Sequence, residues 1–378
     1  MAMPYRHFHR IAWLAVVLAT CVIVFGAFVR LSDAGLSCPD WPTCYGRATW
    51  PKASDAEVAA HLSDIRPVEP HKAWREQVHR HLAATLGLLV LLLAWLAARR
   101  ERAGAVVIPA ATALIAAAIP VYMIGHHWPA FAMAAVGEVV LLVAAVRWSN
   151  RHLASVGAVT LAVIVFQALL GMWTVTWLLK PAIVMAHLLG GLLTFALLLW
   201  MAWRATEQPI RLVQAPVLKR WLAVALALLG VQIALGGWVS ANYAALSCGT
   251  QFPKCVGLWW PPSDFQQGFV LWRGIGVDYE GGVLDGYARI AIQLAHRVGA
   301  VVVGLFLLGV GIFKLMRVPG VRGWGVALVA ATLLQIGLGI TNVLEGLPLP
   351  VAVAHNAGAV LLLFVLVTLV ARLQRPDA

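Results

Sequence analysis

The feature that most constrains this chain is a series of apolar runs, each about 20 residues long, recurring from one end to the other. A helix of that length crosses a ~30 Å hydrocarbon core, because each residue adds about 1.5 Å. Ten such segments can be read, near 11–31, 79–98, 105–124, 130–147, 155–178, 182–203, 219–241, 289–314, 322–343 and 350–371. Inside lipid a backbone must satisfy its own hydrogen bonds, so these runs are expected to be helices. Only 12% of residues are charged, against roughly a quarter in soluble domains. A water-soluble enzyme and a disordered chain are both excluded. The expected fold is an all-α membrane protein of about ten spans.

The charge pattern supplies an orientation. Lys and Arg number 28 against 16 Asp and Glu, a formal net charge of +12. In a soluble protein this would suggest nucleic acid; here it follows the positive-inside rule, and no nucleic-acid partner is expected. With a cytoplasmic N-terminus, alternate connections hold Arg99, Arg100, Arg102, Arg147, Arg151, Arg204, Arg211, Lys219, Arg220, Lys314, Arg317 and Arg322, while the short outer ones hold only Lys180. Arg372 and Arg375 follow the last span on the cytoplasmic side. The first run, after Arg6 and Arg10, lacks a small-residue cleavage site and reads as a retained span. The expected location is a bacterial-type inner membrane, with the loops 32–74 and 242–288 in the periplasm.

The chain also repeats itself. Leu36-Ser37-Cys38 to Cys44-Tyr45-Gly46 follows the first span, and Leu246-Ser247-Cys248 to Cys255-Val256-Gly257 follows the seventh. Val78-His79-Arg80 opens the second span and Ala295-His296-Arg297 sits early in the eighth. Gln167 to Gly171 matches Gln335 to Gly339, and Ala186-His187-Leu188 matches Ala354-His355-Asn356. Gln232 to Gly236 carries the Gln-x-x-x-Gly pattern a third time, where close helix packing or approach of a flat ligand are both open readings. Two related four-helix halves are expected, 1–104 with 148–210 and 211–378. The hairpin 105–147 has no counterpart and reads as an insertion.

The repeat aligns His79, His187, His296 and His355 within about seven residues of the outer helix ends, two to each half. An ionisable residue in a membrane helix is a functional candidate by default. Helical bundles hold haem between axial histidines. Zinc or copper would need further ligands, and the cysteines lie in loops, so two haem sites are expected. Cys38 with Cys44, and Cys248 with Cys255, are expected to form disulfides on the oxidising side, either as staples or as redox centres. Cys21 reads as buried and inert.

Glu76 precedes His79 by three residues, where the second half has Gln293. An i, i+3 pair shares a helix face. The carboxylate thus either points into the first pocket, pairs with Arg80, or is solvated. The asymmetry suggests chemistry in the N-terminal pocket and a permanent cofactor in the C-terminal one. Glu138, mid-span in the insertion, is a weaker candidate. His126 and His127 at its tip, and His7, His9, His61, His71, His81 and His152, read as lying at or near water. Arg30, Arg80 and Arg297 either pair with haem propionates or snorkel to the interface.

These residues together resemble the haem A synthase family. The resemblance is carried by Val29-Arg30-Leu-Ser-Asp-Ala-Gly35-Leu-Ser-Cys38-Pro-Asp-Trp41-Pro, Glu76-Gln-Val-His79-Arg80, Gln167-Ala-Leu-Leu-Gly-Met-Trp173, Ala186-His187-Leu, His296-Arg297 and His355-Asn356. It implies oxidation of a ring methyl of haem O to the formyl group of haem A, through hydroxylated intermediates, for cytochrome oxidase biogenesis. It also implies His296 and His355 as axial ligands of a haem b, with His79, His187 and catalytic Glu76 on the substrate side. A haem O synthase (protohaem farnesyltransferase), an electron acceptor and membrane lipid are the implied partners. The family typically has eight spans, so the inserted hairpin is a departure that leaves homo-oligomer formation open. Two other classes compete: a dihaem b-type electron-transfer subunit, and a quinone-linked thiol oxidase using the Cys loops.

Overall fold

The computed structural model describes residues 7–52, 69–149 and 153–376. Among them, ten helices are long and apolar enough to cross a membrane. They are α1 (Phe8–Leu31), α2 (Pro70–Ala98), α3 (Gly104–Met123), α4 (His127–Arg147), α5 (Ala154–Thr176), α6 (Pro181–Thr206), α7 (Ala215–Ala241), α8 (Gly286–Gly309), α9 (Arg322–Leu344) and α10 (Leu349–Arg372). The last turns of α8 continue as a π-helical segment, Val310–Leu315. The chain is an all-α membrane protein of ten spans, as the apolar runs require.

Local chemistry sets the helix ends. Proline occupies the first turn of α7 and α10, where its missing N–H costs no intrahelical bond. The Asp285 carboxylate accepts from the Ala288 amide at 2.8 Å and caps α8. The main departure from the sequence expectation is α2, which begins at Pro70 instead of near residue 79. Its first turns carry His71, Lys72 and Arg75, so apolarity does not mark them. Ala73 and Glu76 are nonetheless buried there. His79 and His296 consequently lie nine and ten residues into their helices, and His187 and His355 six.

The chain divides into two compact units. One comprises Met1–Ala19, Leu82–Leu169 and Leu193–Gln208. In it Trp13 of α1 meets Trp203 of α6 edge to face at 4.8 Å and donates to the Thr206 hydroxyl at 3.0 Å. Gly157 of α5 lies against Ala94 of α2, and Gly137 of α4 against Ile115 of α3. Small residues at these crossings let backbones approach, the usual basis of helix association in lipid.

The other unit comprises Thr20–His81, Leu170–Leu192 and Pro209–Ala378. Helices α7 to α10 share one core, built from Leu218, Leu222 and Leu229 with Val303 and Leu307, Leu328, and Leu362, Val365 and Leu366. Two short parallel strands close this group: β1 (Ile210–Arg211), leading into α7, pairs with β2 (Leu373–Gln374), leaving α10. Both Cys loops and all four repeated histidines belong to this second unit.

Candidate functional site

Each Cys loop is a small closed ring. The structure joins Cys38 to Cys44 and Cys248 to Cys255, with sulfur separations of 2.04 and 1.96 Å. The two loops match in detail. Trp41–Pro42 and Phe252–Pro253 are both cis, and Tyr45-Gly46 and Val256-Gly257 are both left-handed. The Cys44 amide donates to the Arg47 carbonyl at 2.9 Å, and the Cys255 amide to the Leu258 carbonyl at 2.8 Å. Asp40 accepts from the Thr43 hydroxyl and from the Gly46 amide, the latter at 2.9 Å. Gln251 does the corresponding work by accepting from the Gly257 amide at 2.6 Å.

An arginine pins each loop from the helix below. Arg80 donates to the carbonyls of Asp40 and Thr43 at 2.8 and 2.7 Å. Arg297 donates to those of Lys254 and Gln251, both at 3.1 Å. Arg30 in turn donates to the Tyr243 hydroxyl and the Ser240 carbonyl at 3.1 and 2.9 Å. These three arginines, considered from sequence for propionates or the interface, are thus engaged with protein groups. A guanidinium presents several donors in a fixed plane, which suits it to gathering carbonyls of a folded loop.

Glu76 is 4% exposed. One carboxylate oxygen pairs with Arg80, one helical turn on, and the other accepts from the Cys38 amide at 2.9 Å. The Arg80 pairing foreseen in the sequence is therefore present, in a buried setting and not a solvated one. Its charge reaches the loop: burial, then Glu76 and Asp40, push the Tyr45 phenol above its ordinary value. In the second half Gln293 is equally buried, and its side-chain oxygen has no hydrogen-bond partner.

The four histidines share one local design. A carbon added at Gly26 (α1) would fall 2.7 Å from His79 Cε1, and at Gly171 (α5) 3.4 Å from that of His187. At Gly236 (α7) and Gly339 (α9) it would fall 3.1 Å from His296 and His355 respectively. Each imidazole therefore lies against a glycine of the preceding span. All four histidines are half-buried. His79 lies within electrostatic reach of His187, and His296 of His355. Among the described residues, no three His, Cys, Asp or Glu side chains gather to hold a bare metal ion. Paired histidines with no third metal-ligating side chain beside them suit a flat macrocycle that brings its own equatorial donors.

The glutamines of the Gln-x-x-x-Gly pattern take a definite part. Gln232 Nε2 lies 3.0 Å from His296 Nδ1 and donates to the His296 carbonyl at 3.0 Å. Gln335 Nε2 lies 3.3 Å from His355 Nε2 and donates to the His355 carbonyl at 3.0 Å. Gly299 and Gly358, three residues after these histidines, make room: an added carbon would fall 2.2 and 2.0 Å from the glutamine oxygens. The bonds to the histidine carbonyls tie each histidine-bearing helix to the span before it.

The sequence matches the COX15-CtaA family, cytochrome oxidase assembly protein, over residues 9–367. The chain belongs to this family. It is 38% identical to "Heme A synthase" of Shewanella oneidensis over 370 residues, covering 95% of this chain and 96% of that protein. It is 27% identical to that of Rhizorhabdus wittichii, covering 93% and 89%, and 26% identical to that of Caulobacter vibrioides, covering 96% of each.

The remaining candidates separate from this site. Cys21 is exposed on the surface of α1, not buried as its apolar run suggested, because it lies on a face no other described helix covers. Glu138 is half-buried in the inserted hairpin, with one carboxylate oxygen lacking a hydrogen-bond partner. His71, His81, His126 and His127 are exposed, whereas His7 and His9 are half-buried. His61, His152, Arg6 and Arg151 lie outside the described residues. Lys180, counted in the sequence only as the basic residue of a short outer connection, is 1% exposed, with its ammonium 3.4 Å from the centre of the Trp272 ring. Burial lowers its pKa from the ordinary lysine value. Sequence reading passed over the role of the glutamines, whose signal was a Gln and a Gly four residues apart on one helix face, opposite His-x-x-Gly.

Proposed function

We propose that this family member is a haem A synthase, an oxidoreductase that converts the ring methyl of haem O into the formyl group of haem A for cytochrome oxidase assembly. The observation that carries the reading is the fourfold histidine-on-glycine arrangement, in a chain 38% identical to a Shewanella oneidensis protein of that name. In this reading the N-terminal half, 1–104 with 148–210, takes haem O between His79 and His187. The C-terminal half, 211–378, holds haem b between His296 and His355. Held there, haem b would supply one-electron redox chemistry.

Glu76 is the catalytic acid-base of this proposal. It stands three residues from His79, it is buried, and the other half has a non-ionising Gln293 in its place. Methyl oxidation releases protons, and a fixed carboxylate near the reacting carbon can take one up. Arg80 and the Cys38 amide hold the group in place. The disulfide-closed loops, each pinned by an arginine, act as rigid covers over the two histidine layers.

The chain would lie in a bacterial inner membrane with both termini cytoplasmic and both Cys loops periplasmic. A haem O synthase would supply substrate within the same bilayer. The buried carboxylate of Glu76 in one half, where the other has Gln293, favours this reading over a dihaem electron-transfer subunit, in which equivalent sites are expected. Chromatography of haems extracted from cells with a haem O source, with and without this protein, tests it. Haem A or its hydroxylated precursor is expected only with the protein. Two unmodified haems in the purified chain, with no such product, would support the electron-transfer subunit instead.

A further inference from the structure

Two cations at the Cys-loop end of the N-terminal histidine helices lie against aromatic rings, each with a buried nitrogen that has no hydrogen-bond partner. Arg75 stands four residues before His79 on α2, one turn away on the same face. Its Nε is the buried atom, and its guanidinium lies 5.1 Å from the Phe28 ring and 5.9 Å from the Trp74 ring. Phe28 lies two residues beyond Gly26, the glycine against which His79 rests. Lys180 closes the start of α6, its carbonyl accepting from the Ile183 and Val184 amides at 2.9 and 3.1 Å. It stands seven residues before His187, about two turns, and so on the same side. Its Nζ lies 3.4 Å from the Trp272 ring and 5.5 Å from the Trp177 ring. Neither side chain acts as an interfacial anchor. A snorkelling cation carries its charge into water, whereas Lys180 is 1% exposed and the Arg75 Nε is covered. Aromatic faces offset only part of the cost of burying a cation, which calls for an anion. The second half keeps neither residue. Buried Ile292 stands four before His296, and Pro348, at the start of α10, stands seven before His355.

We propose that Arg75 and Lys180 bind the two propionates of the haem substrate, one cation from each helix that supplies a histidine. This rests on the reading of the N-terminal pocket as the haem O site. A haem carries its two carboxylates at one edge. Both cations stand on the Cys-loop side of their histidines, about 6 and 10 Å along the helices. The guanidinium offers a carboxylate two parallel N–H bonds, and the ammonium offers a point charge with three donors. The Trp272 ring over the ammonium is itself 59% exposed, so an arriving carboxylate displaces a surface side chain and not a packed core. The three other arginines of this region, Arg30, Arg80 and Arg297, already hold protein oxygens. A propionate pair fixes the rotation of the macrocycle in its own plane, and with it which ring methyl comes beside Glu76. A half that keeps a permanent cofactor has no methyl to select, in line with Ile292 and Pro348 at the matching positions.

The test compares haem O with its dimethyl ester, in which both propionates are neutral. Full-length protein purified with haem b bound is titrated with each in detergent, and binding is followed by absorbance. The unaltered protein should prefer haem O by at least about tenfold, the usual worth of a hydrogen bond to a charged group. Arg75→Gln and Lys180→Met should each lose roughly tenfold in haem O affinity, with binding of the ester nearly unchanged. Arg75→Lys should keep most of the preference. Haem b content and thermal unfolding report on the fold; should Lys180→Met fail to fold, Arg75→Gln and the ester comparison still decide. Equal affinity of unaltered protein for haem O and its ester would overturn the proposal. So would folded variants that keep the full preference. Loss of bound phospholipid phosphate from the variants, with the haem O preference intact, would assign the cations to lipid headgroups and overturn it too. Protein that holds haem b but binds neither haem O nor its ester would instead count against the proposed function, and the two failures are thereby told apart.

Discussion

Replacing Gly26 by Ala places a methyl carbon 2.7 Å from His79 Cε1. Non-bonded carbons rest at about 3.5–4.0 Å, so the ring must retreat by roughly 0.8 Å. The same change at Gly236 or Gly339 starts from 3.1 Å and asks for roughly 0.4 Å. At Gly171 it starts from 3.4 Å and asks for roughly 0.1 Å. Metal–ligand distances tolerate only about 0.2 Å. The four variants should therefore rank in haem loss. Gly26→Ala should lose at least ~90% of the haem bound by the N-terminal pocket, Gly236→Ala and Gly339→Ala should partly deplete haem b, and Gly171→Ala should stay close to normal. Overpacking costs about 1–3 kcal/mol, offset by about 1 kcal/mol from the better helix propensity of alanine. The fold should survive, which separates ligand loss from unfolding. Haem per mole of protein, measured as the pyridine haemochrome after chromatographic separation, reads the outcome, with a thermal-shift control. A Gly26→Ala protein that binds haem as well as Gly171→Ala would refute the reasoning.

Glu76→Gln removes the charge facing Arg80 while keeping an acceptor for the Cys38 amide; turnover should fall at least ~10²-fold with haem b retained, the lower range for a positioned acid or base. Near-normal haem A would reduce Glu76 to a structural partner of Arg80. Cys38→Ser and Cys255→Ser each open a ring spanning 6 or 7 positions, which chain entropy values at about 2 kcal/mol; thermal unfolding should drop, and peptide mapping without reduction should recover both linked pairs from unaltered protein. Free thiols at all four sites would contradict the pairing. Reporter fusions after Trp50 and after Gln266 should both score as periplasmic, and a cytoplasmic score at either would reverse the orientation.

The spans were legible because lipid leaves a backbone few choices, so length and apolarity alone locate a helix. The start of α2 was not: Pro70 to Arg75 is polar at the membrane boundary, and its burial depends on the Cys38–Cys44 loop packed against Ala73. The common setting of the four histidines, each against a glycine, was foreshadowed because duplication marked the same positions twice. Their surroundings were only half legible. Gln-x-x-x-Gly reads equally as helix packing until Gln232 and His296 are seen within hydrogen-bonding distance. Arg80 and Arg297 were considered for propionates because a cation near a haem site invites an anion. Apart from the Glu76 carboxylate beside Arg80, their partners are loop carbonyls, which carry no sequence signature at all. Cys21 was misjudged for a related reason: apolar neighbours along a span do not tell a protein-facing side from a lipid-facing one.

The parallel pairing of Ile210–Arg211 with Leu373–Gln374 has a consequence for how such a chain is assembled. It brings the entrance of α7 and the exit of α10 side by side, with four spans between them. An even number of crossings returns the backbone to its starting leaflet, and the strand pair locks that parity in place. A segment whose two ends meet on one face behaves as a cassette. It can be copied in tandem behind a short tether without inverting the copy, which is the geometric condition for two same-sense halves in one polypeptide. Cutting the chain between Glu207 and Gln208 and producing the two pieces together should then rebuild the protein, since the break falls before the strand that seals the second cassette.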